Sequence, residues 1–293
     1  MEIIKYIKNF AKRNKEIILA TLEGSRVNPH AKKDKYQDYD ISFFMYSKDI
    51  NIFLGLDSKQ SLNDITEIPC CIKELENSPF LRKILMAQMP ESMEFYPPDL
   101  PNGWVSFLLL FESGVRLDLT FIPLEDLELY YTIEPLSKVL VDKNKLFTHT
   151  IPKIPFSITH LSQRSFDDVC NEFYFTYSAL QKALAREQFI LANHLLDSMR
   201  KALLVMLSFK VGLERGFELW LGKENTRILH YLSKKEVKVV RLSYRTDNLK
   251  HITRSAVELE SFFRKIIKYI CKKNNYKNKH YNKYILKYYK AFK

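Results

Sequence analysis

The feature that most limits what this 293-residue chain can fold into is a change of hydrophobic period at Ile151-Pro152-Lys153-Ile154-Pro155. Before it, apolar residues recur at every second position, as on a pleated strand. After it they recur at every third or fourth, as on one face of a helix. Phe166, Val169, Phe173, Tyr177, Leu180 and Leu184 form one such stripe, and Ala192, Leu196, Met199, Leu203 and Met206 a second. The expected fold class is therefore α/β (α+β). Residues 1–155 form a mixed-sheet domain and residues 156–293 an all-helical bundle, with the Pro152/Pro155 segment as the boundary.

Within the first part, the pattern predicts a helix over residues 2–14 and a strand Ile17–Leu22 entering a tight turn at Glu23-Gly24-Ser25. Further strands are expected at Tyr39–Met45 and Ser137–Val141. Trp104–Phe111 and Val115–Ile122 read as a hairpin joined near Ser113-Gly114. Residues 46–80 read as loop and helix, and Pro90, Pro97, Pro98 and Pro101 mark a loop over 90–103. In the second part Gly212 and Gly216 bracket the end of the second helix, and Leu229–Tyr231, Val257–Ile270 and Tyr284–Phe292 carry weaker helical signals.

Charge needs to be located before it is interpreted. The chain has 46 Lys+Arg against 34 Asp+Glu, a net +12. Residues 264–293 hold eleven of the basic residues and no acid, so the remainder is close to neutral. A basic, tyrosine-interleaved tail offers phosphate contacts and stacking surfaces to nucleic acid. A solvated last helix is the simpler reading and the one favoured here. At 46% hydrophobic and 27% charged, the chain is neither disordered nor fibrous. Cys70, Cys71, Cys170 and Cys271 have neither disulfide-scaffold nor zinc spacing and read as reduced thiols of a cytoplasmic protein. No apolar run reaches the ~20 residues of a membrane span, and the N-terminus is too charged for a signal peptide.

The chemistry lies in Gly24-Ser25-Arg26 and Asp38-Tyr39-Asp40-Ile41. Alternation on a strand puts Asp38 and Asp40 on one face, roughly 7 Å apart along the chain. Ionised carboxylates aimed together repel unless a cation lies between them, and hard oxygens suit Mg²⁺. Val115, Leu117, Leu119 and Phe121 take one face of a later strand and leave Asp118 on the other, where a shared metal would supply its partner. Gly24 lets backbone approach a phosphate, and the Ser25 hydroxyl and Arg26 charge complete a cradle. Three acids, a metal and a phosphate cradle describe nucleotidyl transfer by in-line displacement.

These motifs resemble the polymerase-β-type nucleotidyltransferase superfamily and, within it, the aminoglycoside 6-adenylyltransferases (streptomycin adenylyltransferases). The similar stretches are TLEGSRVNPHAKKDKYQDYDISFF, MPESMEFYPP, LLLFESGVRLDLTFIPLEDL, DDVCNEFYF and RKALLVMLSFKVGLERGFELWLGK, in order over about residues 15–225. The resemblance implies an N-terminal nucleotidyltransferase domain, a helical substrate-binding domain, Mg²⁺ with ATP as donor, and the 6-hydroxyl of streptomycin or a similar aminoglycoside as acceptor, hence antibiotic resistance. It also implies residue roles. Gly24, Ser25 and Arg26 hold the triphosphate, Asp38 and Asp40 hold the metal, and Asp118, at the same metal site, is the catalytic base. Arg200 and Lys223 are the nominated ATP-binding cations of the helical domain. Asp168 and Glu172, four apart on one helix face, are the nominated acids toward a cationic substrate. The chain departs from the family at Tyr174, Phe175, Tyr177 and Ser178, where Trp and Thr-Pro are expected, and in its basic tail. Both departures bear on the acceptor. AMP transfer to a metabolite, a protein or an RNA end is therefore the alternative. A non-catalytic nucleotide-binding module is a further one, against which the three retained acids argue.

Overall fold

A computed structural model of the chain describes residues 2–57, 59–96, 100–151 and 157–290. The chain divides into two compact units, Met1–Pro155 and Phe156–Lys293. Pro152 to Pro155, read above as a boundary, lie outside the described residues, as do Pro97, Pro98 and Phe292.

In the first unit, α1 (Glu2–Arg13) buries Ile7, Phe10 and Ala11 and exposes Lys5 and Lys12. A six-stranded sheet follows: β1 (Leu19–Leu22), β2 (Tyr39–Met45), β3 (Ile84–Gln88), β4 (Val105–Phe111), β5 (Arg116–Pro123) and β6 (Lys138–Asp142). Its spatial order is β3-β4-β5-β2-β1-β6. β2 and β5 are parallel, and every other pairing is antiparallel, so the sheet is mixed. Short helices α2 (Gly24–Val27), α3 (Ser47–Phe53), α4 (Cys70–Lys73) and α5 (Leu127–Ile133) complete the unit.

Strand alternation sorts the side chains. Ile41, Phe43, Phe107, Leu109, Leu117, Leu119 and Phe121 share one core with α1, and Phe43 meets both Phe10 and Phe121 ring to ring. The opposite face carries a smaller cluster of Leu19, Phe44, Trp104, Ile122 and Tyr130, at one end only. The other end of that face, where Asp40 and Asp118 stand opposite each other in the β2–β5 register, is where the polar residues lie.

One expectation needs correction in this unit, and one strand has no counterpart in the sequence reading. The segment after β1 is one helical turn, α2, rather than a bare tight turn, because the Asn28 N–H closes back on the Gly24 carbonyl. The edge strand β3 has no alternating signature in the sequence. Leu85 and Met86 are exposed there, so no single face is selected for apolar residues.

The second unit consists of α6 (Gln163–Ala185), α7 (Phe189–Arg215), α8 (Lys234–Leu242), α9 (Leu249–Asn274) and α10 (Tyr281–Lys290), with short 3₁₀ turns. Ser162 caps α6 by accepting from the Ser165 N–H, and Ser233 and Glu236 form a capping box on α8. Phe173 of α6 stacks on Phe263 of α9 with centroids 3.8 Å apart and planes 5° from parallel. Gly216 ends α7 at φ +95°, whereas Gly212 is buried inside it. A Cβ on Gly212 would meet the Phe217 ring, so that glycine is a packing residue and not a stop signal. The basic tail is part of the bundle: Ile266, Ile267 and Ile270 are buried in the core, while Arg264, Lys265 and Lys268 face out. No helix among the described residues is long and apolar enough to cross a membrane.

Candidate active site

The site is built on the polar end of the sheet face. β1 delivers the chain into Glu23, which is extended at φ −130°, and then into Gly24 in the left-handed region at φ +63°. Only glycine takes that conformation at little cost. A second constraint coincides with it, because a Cβ on Gly24 would overlap the Asp40 carboxylate. The Glu23 N–H donates to the Asp40 carbonyl at 2.9 Å, so the turn and the D-x-D segment are stitched together.

Below this turn is a buried network that the sequence reading did not single out. The Glu23 carboxylate accepts from the Tyr130 hydroxyl at 2.7 Å and the Thr21 hydroxyl at 2.8 Å. Burial pushes the Glu23 carboxyl above its usual range, against the pull of those hydrogen bonds. Tyr130 comes from α5, about a hundred residues away in sequence, and no local signal in the chain points to that pairing.

Arg26 has a different immediate task from the one expected. Its Nε donates to the Asp38 carbonyl at 2.8 Å and its Nη2 to the Gln37 carbonyl at 2.6 Å. Its guanidinium lies 3.5 Å from the Tyr39 ring centroid. In this arrangement it braces the segment that presents Asp38. Gln37 folds back as well, its Nε2 donating to the Ser25 carbonyl at 2.8 Å.

Asp40 is strongly perturbed by its surroundings. Burial, then the charges of Asp118, Glu23 and Asp38, push its carboxyl up to about 7, with Arg116 pulling the other way. Arg116, two residues before Asp118 on the same strand face, grips Asp118 with a fork: Nε to Oδ1 at 2.8 Å and Nη2 to Oδ2 at 2.7 Å. Its Nε also stands 3.8 Å from Asp38 Oδ2. The bond to Asp118 raises the already high pKa of the guanidinium. Strand parity alone would have found Arg116, had it been applied to bases as well as acids.

Among the described residues no group of three or more His, Cys, Asp or Glu is arranged to hold a metal ion as it stands. The donor chemistry nevertheless fits a divalent cation. The oxygens are hard, the carboxylates are crowded enough to disturb one another, and the present counter-charge comes from a half-exposed arginine. Asp38 and Asp40, with Asp118 once freed from its fork, are the residues that would hold it.

The nominated residues of the helical unit are placed within that unit. Arg200 is buried, with Nη1 donating to the Ser243 carbonyl at 2.8 Å, Nη2 at 3.3 Å from Asp197, and its guanidinium over Tyr244. It ties α7 to the end of α8. Lys223 is exposed and opens a 3₁₀ turn after Gly222. Asp168 and Glu172 are both exposed on α6, Glu172 accepting from the Thr176 hydroxyl. The buried acid of that helix is Asp167, which pairs with Lys279 at 3.0 Å.

Comparison with known proteins places these features in context. The sequence model of the streptomycin adenylyltransferase family matches residues 1–58 and 75–292. The chain is 33% identical to the aminoglycoside 6-adenylyltransferase of Bacillus subtilis (strain 168), over 98% of this chain and 95% of that protein. It is 34% identical to the enzyme of that name from Campylobacter jejuni, over 90% and 85%. For the one from Staphylococcus aureus the identity is 35%, over 80% and 77%.

Proposed function

The chain belongs to the streptomycin adenylyltransferase family, and from that membership we propose that it transfers AMP from Mg·ATP to an aminoglycoside hydroxyl, the 6-hydroxyl of streptomycin first, and so confers resistance. The observation that carries this reading is the juxtaposition at the sheet's polar end. Asp40 and Asp118 are register partners, and Gly24 is pressed so close to Asp40 that no larger residue fits.

A bound Mg²⁺ would offset the triphosphate's charge and that of the departing pyrophosphate. The chain's own residues do the rest. Gly24 and Ser25 offer an N–H and a hydroxyl to phosphate oxygens at a turn where a side chain would block them. Arg26 keeps Asp38 aimed by holding the backbone on either side of it. Asp118 takes the proton from the acceptor hydroxyl as the new O–P bond forms at the α-phosphate and the bond to pyrophosphate breaks. For that its oxygens must first be free of Arg116. Asp40, closest to Gly24, is assigned to the cation with Asp38. Arg200 and Lys223 are the proposed nucleotide contacts from the helical unit, and Asp168 and Glu172 the proposed partners for the cationic acceptor.

The test is direct. The protein is incubated with Mg²⁺, ATP and a panel of aminoglycosides, and products are read by mass spectrometry for an added AMP. Streptomycin should be modified in preference to kanamycin-type compounds, and expression in a susceptible host should raise streptomycin resistance. Absence of product across the panel would transfer the proposal to another acceptor.

A further inference from the structure

Arg116 lies among the acids of this site, and the phosphate cradle read from the sequence did not include it. It makes two short hydrogen bonds to the two oxygens of Asp118 and stands 3.8 Å from Asp38 Oδ2. An arginine–aspartate pair two apart on a strand is ordinarily a weak surface contact. This one is placed differently. Its fork occupies both oxygens of an acid whose register partner is Asp40, and its Nε reaches toward a third acid. The neighbouring guanidinium, Arg26, is held on the Gln37 and Asp38 carbonyls and the Tyr39 ring, so it is committed elsewhere. Arg116 is also the first residue of β5 and its side chain is 43% exposed. A long stem with a solvated head can leave without breaking any core contact.

We propose that Arg116 is the resident counter-cation of this acid cluster, holding Asp118 and the edge of Asp38 until a divalent ion displaces it. The inference rests on the reading of Asp38, Asp40 and Asp118 as a metal site, and it adds a competition between a side chain and the metal. Two consequences follow from charge and geometry. While Arg116 is in place, each oxygen of Asp118 has one lone pair taken and a positive charge beside it, which disfavours both a metal and an incoming proton, so base and metal ligand are released by the same event. Metal loading must also overcome a unit positive charge within a few ångströms, which weakens binding wherever the dielectric is lower than that of water. The empty site is thereby offset in part, by one positive charge among its acids.

The experiment is a Mn²⁺ titration of the full chain without nucleotide, read by the electron paramagnetic resonance of free Mn²⁺. The wild type is compared with Arg116→Met and Arg116→Lys, each checked for folding by circular dichroism. Arg116→Met should bind Mn²⁺ at least about tenfold more tightly than the wild type. Arg116→Lys keeps the charge but cannot grip both oxygens at once, so it should fall between them. Adding Asp118→Asn to Arg116→Met should remove most of the gain. Equal or weaker binding by Arg116→Met would overturn the proposal, and so would a gain that survives Asp118→Asn. Failure of every form to bind Mn²⁺ at millimolar concentration would overturn it too, by removing the metal site. The assigned acceptor is judged separately, since AMP transfer by the wild type is measured by mass spectrometry and does not enter the titration.

Discussion

Asp40 combines two demands that conflict unless a cation is present. It is a carboxyl largely out of water, beside three other acids, and its pKa is pushed up to about 7. A proton and a divalent ion therefore compete for it. Metal-dependent ATP affinity should weaken by up to about tenfold per pH unit below about 7 and level off above it, a profile that calorimetry across pH 5.5–8.5 would show. The same shift has a stability sign. The folded form binds this proton more tightly than the unfolded chain does, so its contribution is fully present near pH 4 and is lost as pH rises through about 7. Asp40→Asn removes the charge and should raise the melting temperature in EDTA at pH 8 while abolishing metal-dependent ATP binding. A melting temperature that falls would mean that the carboxylate is already well compensated. Asp118→Asn separates a different role. It should fold and keep much of its Mg·ATP affinity, with transfer reduced by at least about 10²-fold, because general-base assistance is typically of that size or larger. Loss of nucleotide binding as complete as in Asp40→Asn would make Asp118 chiefly a metal ligand.

At the level of elements, the site is an end of a sheet face held in position from below. Gly24 satisfies two requirements together, a left-handed φ and the absence of a Cβ beside Asp40. Gly24→Ala should consequently destabilise the chain by about 1–3 kcal/mol and lose ATP binding besides, seen in thermal melts and calorimetry run side by side. Tyr130→Phe tests the support from α5. The Glu23 carboxyl would lose its 2.7 Å donor inside the protein, and a buried group left short of a partner costs about 1–3 kcal/mol. An unchanged melting temperature would show that Thr21 and Ser42 together satisfy Glu23. The two residues also show what was legible. Gly24, Asp38, Asp40 and Asp118 could be read from the sequence because spacing and strand parity are local properties. β2 was read to its observed ends because its apolar face is continuous. Tyr130 and Glu23 meet only through tertiary structure, which local pattern does not encode. β3 was missed because an edge strand buries neither face cleanly. α8 was missed because it is only nine residues long, five of them charged and three β-branched, with Val240 its one buried position.

For the whole molecule, the question left by the sequence is whether a net charge of +12 has a function. Where the charge sits in the fold accounts for it without a nucleic-acid role. Basic residues from Arg264 onward alternate with Ile266, Ile267 and Ile270, which close the bundle core, so helical spacing forces the lysines outward whatever they do there. Some are paired within the bundle: Arg264 with Glu260 at 3.4 Å, and Lys279 with Asp167 at 3.0 Å. The sequence could count these charges but could not show that Asp167, rather than Asp168, turns inward to meet one of them. A quadruple variant, Lys272→Gln, Lys273→Gln, Lys283→Gln and Lys287→Gln, removes four exposed charges without touching a described pair. Surface changes of this kind are usually within about 0.5 kcal/mol of neutral each. Adenylyl transfer to streptomycin should therefore stay within about twofold of wild type, since no binding step is assigned to these residues. Binding of a single-stranded RNA should be weak in both forms and differ little between them. A charged arm that gripped phosphates would behave otherwise, its affinity falling steeply between 50 and 200 mM salt and the slope shrinking by roughly one for each phosphate-binding lysine removed. Tight, steeply salt-dependent RNA binding that the four substitutions abolish would make the tail a nucleic-acid surface. It would then move an RNA end ahead of the aminoglycoside as the acceptor to test.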